Sequence, residues 1–129
     1  MRQTSIEIEG LHHDAPIPVA SRIGPILATS AISGEDRHGG GLPPDADGQA
    51  RNAFDNLGAI LAASGLDFGD VVRLTVYLAD EAHRHAINTY WLQHFPDPAH
   101  RPARHSMVAP IRRGRLLQIE ALAVAKTLA

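Results

Sequence analysis

Between residues 50 and 78 the spacing of apolar residues changes from a helical to a strand period, and this change restricts the folds open to the chain. Four apolar residues recur along one face of a helix: Ala50, Phe54, Leu57 and Leu61. From Val72 to Leu78, apolar residues at every second position, Val72 included, are predicted to face a core. A helix followed closely by a half-buried strand predicts a helical layer packed on a sheet.

Short apolar runs punctuated by glycine and proline predict further strands along the chain. We predict a first strand at residues 5–9 and a hairpin over residues 19–32 that turns at Gly24-Pro25. Two final strands are predicted at residues 104–109 and 116–125. The polar, glycine-rich stretch at residues 34–48 is predicted to be the longest loop.

Two helices are predicted between these strands. The first begins at an aspartate, Asp45 or Asp47, whose side chain is suited to an N-cap, and it ends at Ser64. The second begins at Asp80 and ends near His94, because the prolines that follow are incompatible with a continuing helix.

The order of these elements indicates one α+β domain over residues 1–129. Its predicted architecture has two layers, with both helices on one face of a mixed sheet. The other face then lacks a covering layer. We expect a second copy of the chain to pack on it, because the sheet is rich in apolar residues.

The composition excludes several classes of function. The 129 residues include no cysteine, which excludes disulfides, thiolate catalysis and cysteine-based metal sites. No apolar run approaches the roughly 18–20 residues that span a bilayer, and the first residues do not resemble a secretory signal, so we expect a cytoplasmic protein. A net charge of −2 gives no general attraction to nucleic acid.

Two motifs suggest chemistry, and each has a simpler explanation. The string His38–Gly41 resembles the oxyanion-hole sequence of some esterases, but the G-x-S-x-G motif that accompanies it there is absent, which favours a hairpin tip. His83 and His85 do not share a helix face, and no H-E-x-x-H spacing occurs. We therefore predict no metal site, while a metal shared between subunits at His12-His13 stays open.

The last predicted strand carries two polar residues among apolar ones. Gln118 and Glu120 point to the same face of that strand, where polar side chains need partners. Arg104, on the preceding strand, is the obvious partner. Such an arginine could hold a substrate carboxylate in a bidentate contact, or it could form a plain cross-strand pair with Glu120. Spacing alone favours the plain pair.

Five segments, in the right order, resemble the RidA/YjgF family of reactive-intermediate deaminases over roughly residues 15–124. They are Ala15-Pro16 with Ala20, Gly24 and LATS at 27–30; residues 49–80; Asn88-x-x-Trp91-x-x-x-Phe95-Pro96; Pro102-Ala103-Arg104; and QIEA at 118–121. Each segment is a weak signal by itself. Five of them at matching spacing are specific to the family.

The resemblance implies a chorismate-mutase-like fold and a homotrimer whose sheets form a barrel-like core, with clefts between subunits. The implied activity is hydrolysis of 2-imino or 2-enamino acids to 2-keto acids and ammonia, without metal or organic cofactor. It also implies that Arg104 holds the substrate carboxylate and that groups near Ser30 line the cleft. We therefore expect a small carboxylate-bearing substrate and neither nucleic-acid nor membrane partners.

The chain departs from the family pattern at several of these positions. It has Ile17 where a tyrosine packs on the ligand, Ala31 where glycine is usual, and Ser106 where cysteine is common. Gln118 replaces a glutamate thought to position or activate the attacking water, and an amide can orient water but cannot take its proton. His105, which is unusual after the arginine, is a candidate titratable group.

The predicted site is therefore the following set. The catalytic candidates are Arg104, His105, Gln118 and Glu120, and the substrate-binding candidates are Arg104, Ile17, Ser30, Ala31, Asn88 and Ser106. Because the glutamate is missing, a non-catalytic trimer that binds small carboxylic acids is the alternative. A ribonuclease or translation-inhibitor role is a third interpretation, and the pI of about 6.4 without a basic, aromatic patch opposes it.

Overall fold

A computed structural model describes residues 2–126 as a mixed sheet that carries two helices on one face. The strands are β1 (Thr4–Ile6), β2 (Ala20–Ile23), β3 (Ile26–Thr29), β4 (Ile32–Ser33), β5 (Val71–Leu78), β6 (Ala103–Val108) and β7 (Leu117–Val124). The helices are α1 (Ala46–Ala63) and α2 (Arg84–His94), each next to a short 3₁₀ turn, Phe68–Asp70 and Glu81–His83 respectively.

The sheet order is β1-β2-β3-β7-β5-β6. The short β4, which follows β3 in the sequence, also pairs with β7. Every pair is antiparallel except β5 and β6, which are parallel and are connected through α2. This arrangement confirms the predicted mixed sheet with two helices in an α+β fold. Residues 72–78 also form a strand as predicted, and the hairpin turns at Gly24, whose φ of 55° is left-handed.

Helix α1 follows the predicted apolar stripe, and the residues of that stripe are fully buried. The helix ends as expected at Ser64, and Gly65 follows it with a φ of 74° that favours glycine. Its N-cap is Asp45, one of the two predicted aspartates, although the Asp45 side chain makes no capping hydrogen bond. Because α1 begins at Ala46, Gly48, predicted as the end of the long loop, is already helical.

Two strand predictions were wrong in detail. Val72 is half exposed, because a bulge in the pairing of β5 with β7 makes it the extra residue, and Val71 is buried instead. The first strand ends at Ile6 rather than at residue 9, since the chain turns back at Gly10 to form a bridge between Ile8 and Leu11.

The glycine-rich string forms a turn, as the simpler explanation predicted. Asp36 and Gly41 form an antiparallel bridge, and the Asp36 carboxylate accepts a hydrogen bond from the His38 amide at 2.9 Å. Gly39 and Gly41 have φ values of 96° and 77°, which only glycine adopts readily.

The face of the sheet opposite the helices is open and partly apolar. The register places Val124 opposite Ile26 and Leu122 opposite Ala28, and Ile23 adjoins Ile26. Between 38% and 49% of the area of Ile23, Ile26, Leu122 and Val124 is exposed. Among residues 2–126, neither helix combines the length and the apolar character that crossing a bilayer requires.

Candidate active site

Strand β5 lies between the two strands that carry the predicted catalytic residues. In register, Leu74 pairs with Arg104 on β6 and with Ala121 on β7, so Arg104 points toward the helices with these buried side chains. Thr75 pairs with His105 and Glu120, which therefore point to the open face. The predicted contact of Arg104 with Glu120 is therefore wrong within one chain.

Glu120 has a different partner on the open face. Its Oε1 accepts a hydrogen bond from the Tyr77 hydroxyl at 2.9 Å. That hydrogen bond to a carboxylate, together with burial, raises the pKa of Tyr77. His105 is exposed on the same face and is directed away from any carboxylate that Arg104 of its own chain would hold.

The guanidinium of Arg104 lies over the indole ring of Trp91, 5.2 Å from the ring centroid. Its Nε donates a hydrogen bond to Ser106 Oγ at 2.9 Å, and no carboxylate of residues 2–126 pairs with it. Burial, followed by repulsion from Arg84, lowers the pKa of Arg104, yet an arginine stays charged at neutral pH. The terminal nitrogens are thus left for an external anion.

Asn88 lies on α2, the helix whose Trp91 stacks on this arginine. It is exposed, four residues after Arg84 and three before Trp91, and such spacings place side chains on one side of a helix. We call Arg104, Ser106, Trp91 and Asn88 the clamp group. Trp91 was expected only as part of a family segment, and its stacking on Arg104 depends on a contact between α2 and β6 that spacing does not reveal.

The other predicted residues gather around β4. Ala31 and Gln118 line a cavity of about 110 Å³. The remaining lining residues are Leu11, His12, His13, Val19, Ile32, Ser33, Glu35, Ile60 and Arg115. We call this space the Gln118 cavity.

Ser30 lies two residues before β4, and its hydrogen bonds join it to the segment that follows Ile17. The Ser30 hydroxyl donates to the Pro18 carbonyl at 2.8 Å, and its amide donates to the Val19 carbonyl at 2.9 Å. Ser30 therefore fixes the backbone next to Ala31. Ile17 is 46% exposed.

Two polar pairs in the Gln118 cavity were not predicted. Arg115 Nη2 donates to Glu35 Oε1 at 2.6 Å, and His13 Nε2 lies 3.2 Å from the Ala31 carbonyl oxygen. Among the described residues, His13 Nδ1 and Arg115 Nε are buried without a hydrogen-bond partner. Unpartnered buried nitrogens are uncommon in native proteins and need an explanation.

Two buried amides of α1 hold the walls of this cavity. Asn56 donates to the Ser33 and Glu35 carbonyls at 3.1 and 2.8 Å. On the other side, Gln49 accepts from the Leu116 amide at 2.8 Å and donates to the Gly114 carbonyl at 3.2 Å. The backbone on either side of the ion pair is therefore anchored to the same helix.

No three histidine, aspartate or glutamate side chains come together as a metal site within the part of the chain that the structure describes. His83 and His85 are therefore not part of such a group among the described residues. A metal shared between copies at His12-His13 is not tested by one chain.

Residues 15–125 match the family described as endoribonuclease L-PSP. The chain belongs to this family, which is the RidA/YjgF family. The sequence resemblance is thereby confirmed, and the family's solved structures have the same fold. The YjgF gene product of Escherichia coli is 28% identical with a TM-score of 0.84, over 94% of this chain and 98% of that one. Escherichia coli TdcF with bound serine is 28% identical with a TM-score of 0.86, over 95% and 99%.

Curated relatives match a shorter stretch. The reactive intermediate deaminase TdcF of Escherichia coli K12 is 37% identical over 87 residues, 66% of this chain and 67% of that protein. The human 2-iminobutanoate/2-iminopropanoate deaminase is 39% identical over 77 residues, 59% and 55%. Protein DfrA of Myxococcus xanthus is 40% identical over 81 residues, 62% and 60%. The matched stretch thus spans between 55% and 67% of these relatives.

Proposed function

We propose that this chain hydrolyses small 2-imino or 2-enamino carboxylic acids to 2-keto acids and ammonia, as a cytoplasmic homotrimer without metal or organic cofactor. The names of its relatives, a reactive intermediate deaminase and a 2-iminobutanoate/2-iminopropanoate deaminase, support the reaction class. The observation that carries the proposal is Arg104, a charged group on an indole ring that has no carboxylate partner among residues 2–126.

The arrangement around Arg104 suits a substrate carboxylate. Its Nε is occupied by Ser106, and the aromatic ring below restricts the plane of the guanidinium. The two terminal nitrogens then present parallel N–H groups, which match the two oxygens of a carboxylate. The bound serine in the TdcF structure supports a small carboxylate-bearing ligand in the family.

The clamp group and the Gln118 cavity lie on different parts of one chain, and Arg104 faces away from the side chains of Gln118 and Glu120. We therefore propose that each site is completed between two copies. Arg104, Ser106 and Asn88 of one copy hold the acid. Ile17, Ser30, Ala31, Gln118 and Glu120 of the next copy close the site around the reacting carbon.

The reaction needs little chemical assistance. A protonated imine next to a carboxylate is electrophilic, so positioning of the acid and orientation of one water supply much of the rate. Gln118 orients water through its amide but takes no proton from it. The presence of glutamine instead of glutamate at position 118 favours the alternative of a non-catalytic acid binder. The family description, endoribonuclease L-PSP, supports RNA cleavage as a third candidate function.

Three measurements separate these functions. We expect ammonia release from freshly generated 2-iminopropionate to exceed the uncatalysed rate and to saturate with substrate. A protein that binds pyruvate in calorimetry but leaves the rate of ammonia release unchanged is an acid binder. RNA cleavage without either property would support the third role, although a net charge of −2 provides no general field toward RNA.

Trp91→Leu tests how Arg104 is held. Loss of the cation–π contact, worth about 1–2 kcal/mol for a partly desolvated pair, is expected to raise KM about five- to thirtyfold and to leave kcat nearly unchanged. Steady-state ammonia release measures both constants. Leu92→Ala, at an exposed neighbouring position of α2, is the matched control. An unchanged KM for Trp91→Leu would contradict a positioning role for the indole ring.

A further inference from the structure

The Gln118 cavity contains a histidine whose ring orientation is defined by its surroundings. His13 Nε2 lies 3.2 Å from the Ala31 carbonyl oxygen, and a carbonyl only accepts hydrogen bonds. Nε2 must therefore carry the hydrogen. In the neutral ring Nδ1 then has a free lone pair, and this buried nitrogen has no partner among residues 2–126.

The cavity meets the conditions for an ordered water. Its volume of about 110 Å³ exceeds the roughly 10–15 Å³ that a site needs in order to hold one water. A buried water also needs two to four polar partners, and the lining residues include Gln118, Ser33, Arg115 and His13. By the sequence resemblance, Gln118 stands where the family has a glutamate that is thought to position or activate the attacking water.

We propose that His13 is the general base that deprotonates the attacking water, in place of the carboxylate missing at Gln118. This inference rests on the proposed imine hydrolysis. Gln118 orients the water, and His13 takes its proton. The other basic groups on the cavity wall are Glu35 and His12. The Glu35 carboxylate is paired with Arg115 at 2.6 Å, and the His12 side chain is exposed to solvent.

The proton balance of the step is complete without another reagent. The water oxygen bonds to the carbon of the protonated imine, one water proton passes to His13 Nδ1, and the C=N electron pair moves onto nitrogen. His13 then returns that proton to the amine. The C–N bond breaks, ammonia leaves with the bonding pair, and the hydroxyl proton passes to that ammonia as the C=O bond of the keto acid forms, so the products are the keto acid and ammonium.

Charged groups of both signs surround His13. The titratable and charged neighbours that line its cavity or the adjoining hollows are Glu7, His12, Asp14, Glu35, Asp36, Arg112, Arg113 and Arg115. Asp14 pairs with Arg113 at 2.7 Å and Glu35 with Arg115 at 2.6 Å, so two of the acids already have cationic partners.

The test compares kcat/KM for 2-iminopropionate hydrolysis over about pH 5–8, the interval in which histidine changes charge. For the wild type we expect a rate that rises with pH. His13→Gln keeps a donor for the Ala31 carbonyl but has no titratable nitrogen. It should lower the rate about 10²–10⁴-fold and remove the pH dependence. His100→Gln, at a side chain that is 82% exposed beside Asp97, should change neither.

A rescue separates a base from a structural role. In the double variant His13→Gln/Gln118→Glu we expect the rate to recover at least tenfold, because the new carboxylate supplies the base. A His13→Gln protein with the wild-type rate and pH profile would overturn the proposal, as would loss of the pH dependence in His105→Gln alone. A wild type that releases no ammonia would instead refute the proposed function itself.

A second measurement does not depend on a folded variant. Nitrogen NMR of the wild-type protein at about pH 8, where histidine rings are neutral, should show hydrogen on His13 Nε2 and none on Nδ1. The opposite tautomer would overturn the proposal, because Nδ1 would then have no lone pair for a water proton.

Discussion

Arg104→Ala should abolish measurable turnover of 2-iminopropionate while the protein stays folded. Truncation of one partner of a charge-assisted, bidentate contact costs about 2–5 kcal/mol, which corresponds to a loss of about 30- to 5,000-fold in kcat/KM. In the structure Arg104 bonds only to Ser106 and stacks on Trp91, and it carries no ion pair of the described chain. Its removal therefore breaks few contacts that stabilise the fold. Ammonia release and pyruvate calorimetry measure the effect.

Two further variants define the cause of that loss. Arg104→Lys keeps the charge but loses the planar fork, so an intermediate activity is expected. Arg51→Ala removes an exposed arginine from α1 and should behave as the wild type. If Arg104→Ala retained the wild-type affinity for keto acids, Arg104 would have only a structural role beside α2.

Leu122→Glu is expected to separate the trimer and to eliminate activity with it. Leu122 is 38% exposed on the open face of the sheet, among other exposed apolar residues. A carboxylate placed there loses its hydration when copies associate, a cost of several kcal/mol that a pair with the neighbouring Arg73 of β5 offsets only in part. Light scattering should show a mass near 13.9 kDa instead of about three times that value for the wild type.

The comparison variant for this experiment lies on the helical layer. Leu92 is 54% exposed on α2, so Leu92→Glu introduces the same charge away from the open face. It should keep both the wild-type mass and the activity. An active protein of monomer mass, in either variant or in the wild type, would show that one chain forms the whole site.

The predictable parts of the fold are those encoded by local spacing. The apolar stripe of α1 and the alternation along β5 and β7 act within one element, and Gly24 and Gly65 mark backbone conformations that disfavour other residues. The exposure of Val72 could not be predicted in this way. It depends on how β5 pairs with β7, some 50 residues later, and the bulge exists only in that pairing.

The candidate site shows the same limit more clearly. Alternation correctly places Gln118 and Glu120 on one face, but the partner of Arg104 depends on the strand inserted between β6 and β7. Glu35 and Arg115 are 80 residues apart in the sequence, and His13 and Ala31 are 18 residues apart. These pairings follow from topology, so sequence reasoning named Arg104 as a candidate clamp but missed the polar walls of the Gln118 cavity.

The separation of the clamp group from the Gln118 cavity also has a genetic consequence. If each site takes its clamp from one copy and its cavity from the next, a lesion in either half inactivates a uniform trimer. When an allele defective in the clamp and an allele defective in the cavity are expressed together, mixed trimers contain some sites built from two intact halves. If the two alleles are expressed equally and assemble at random around a closed ring, about a quarter of the sites combine an intact clamp with an intact cavity. Two alleles that are each inactive would then complement one another.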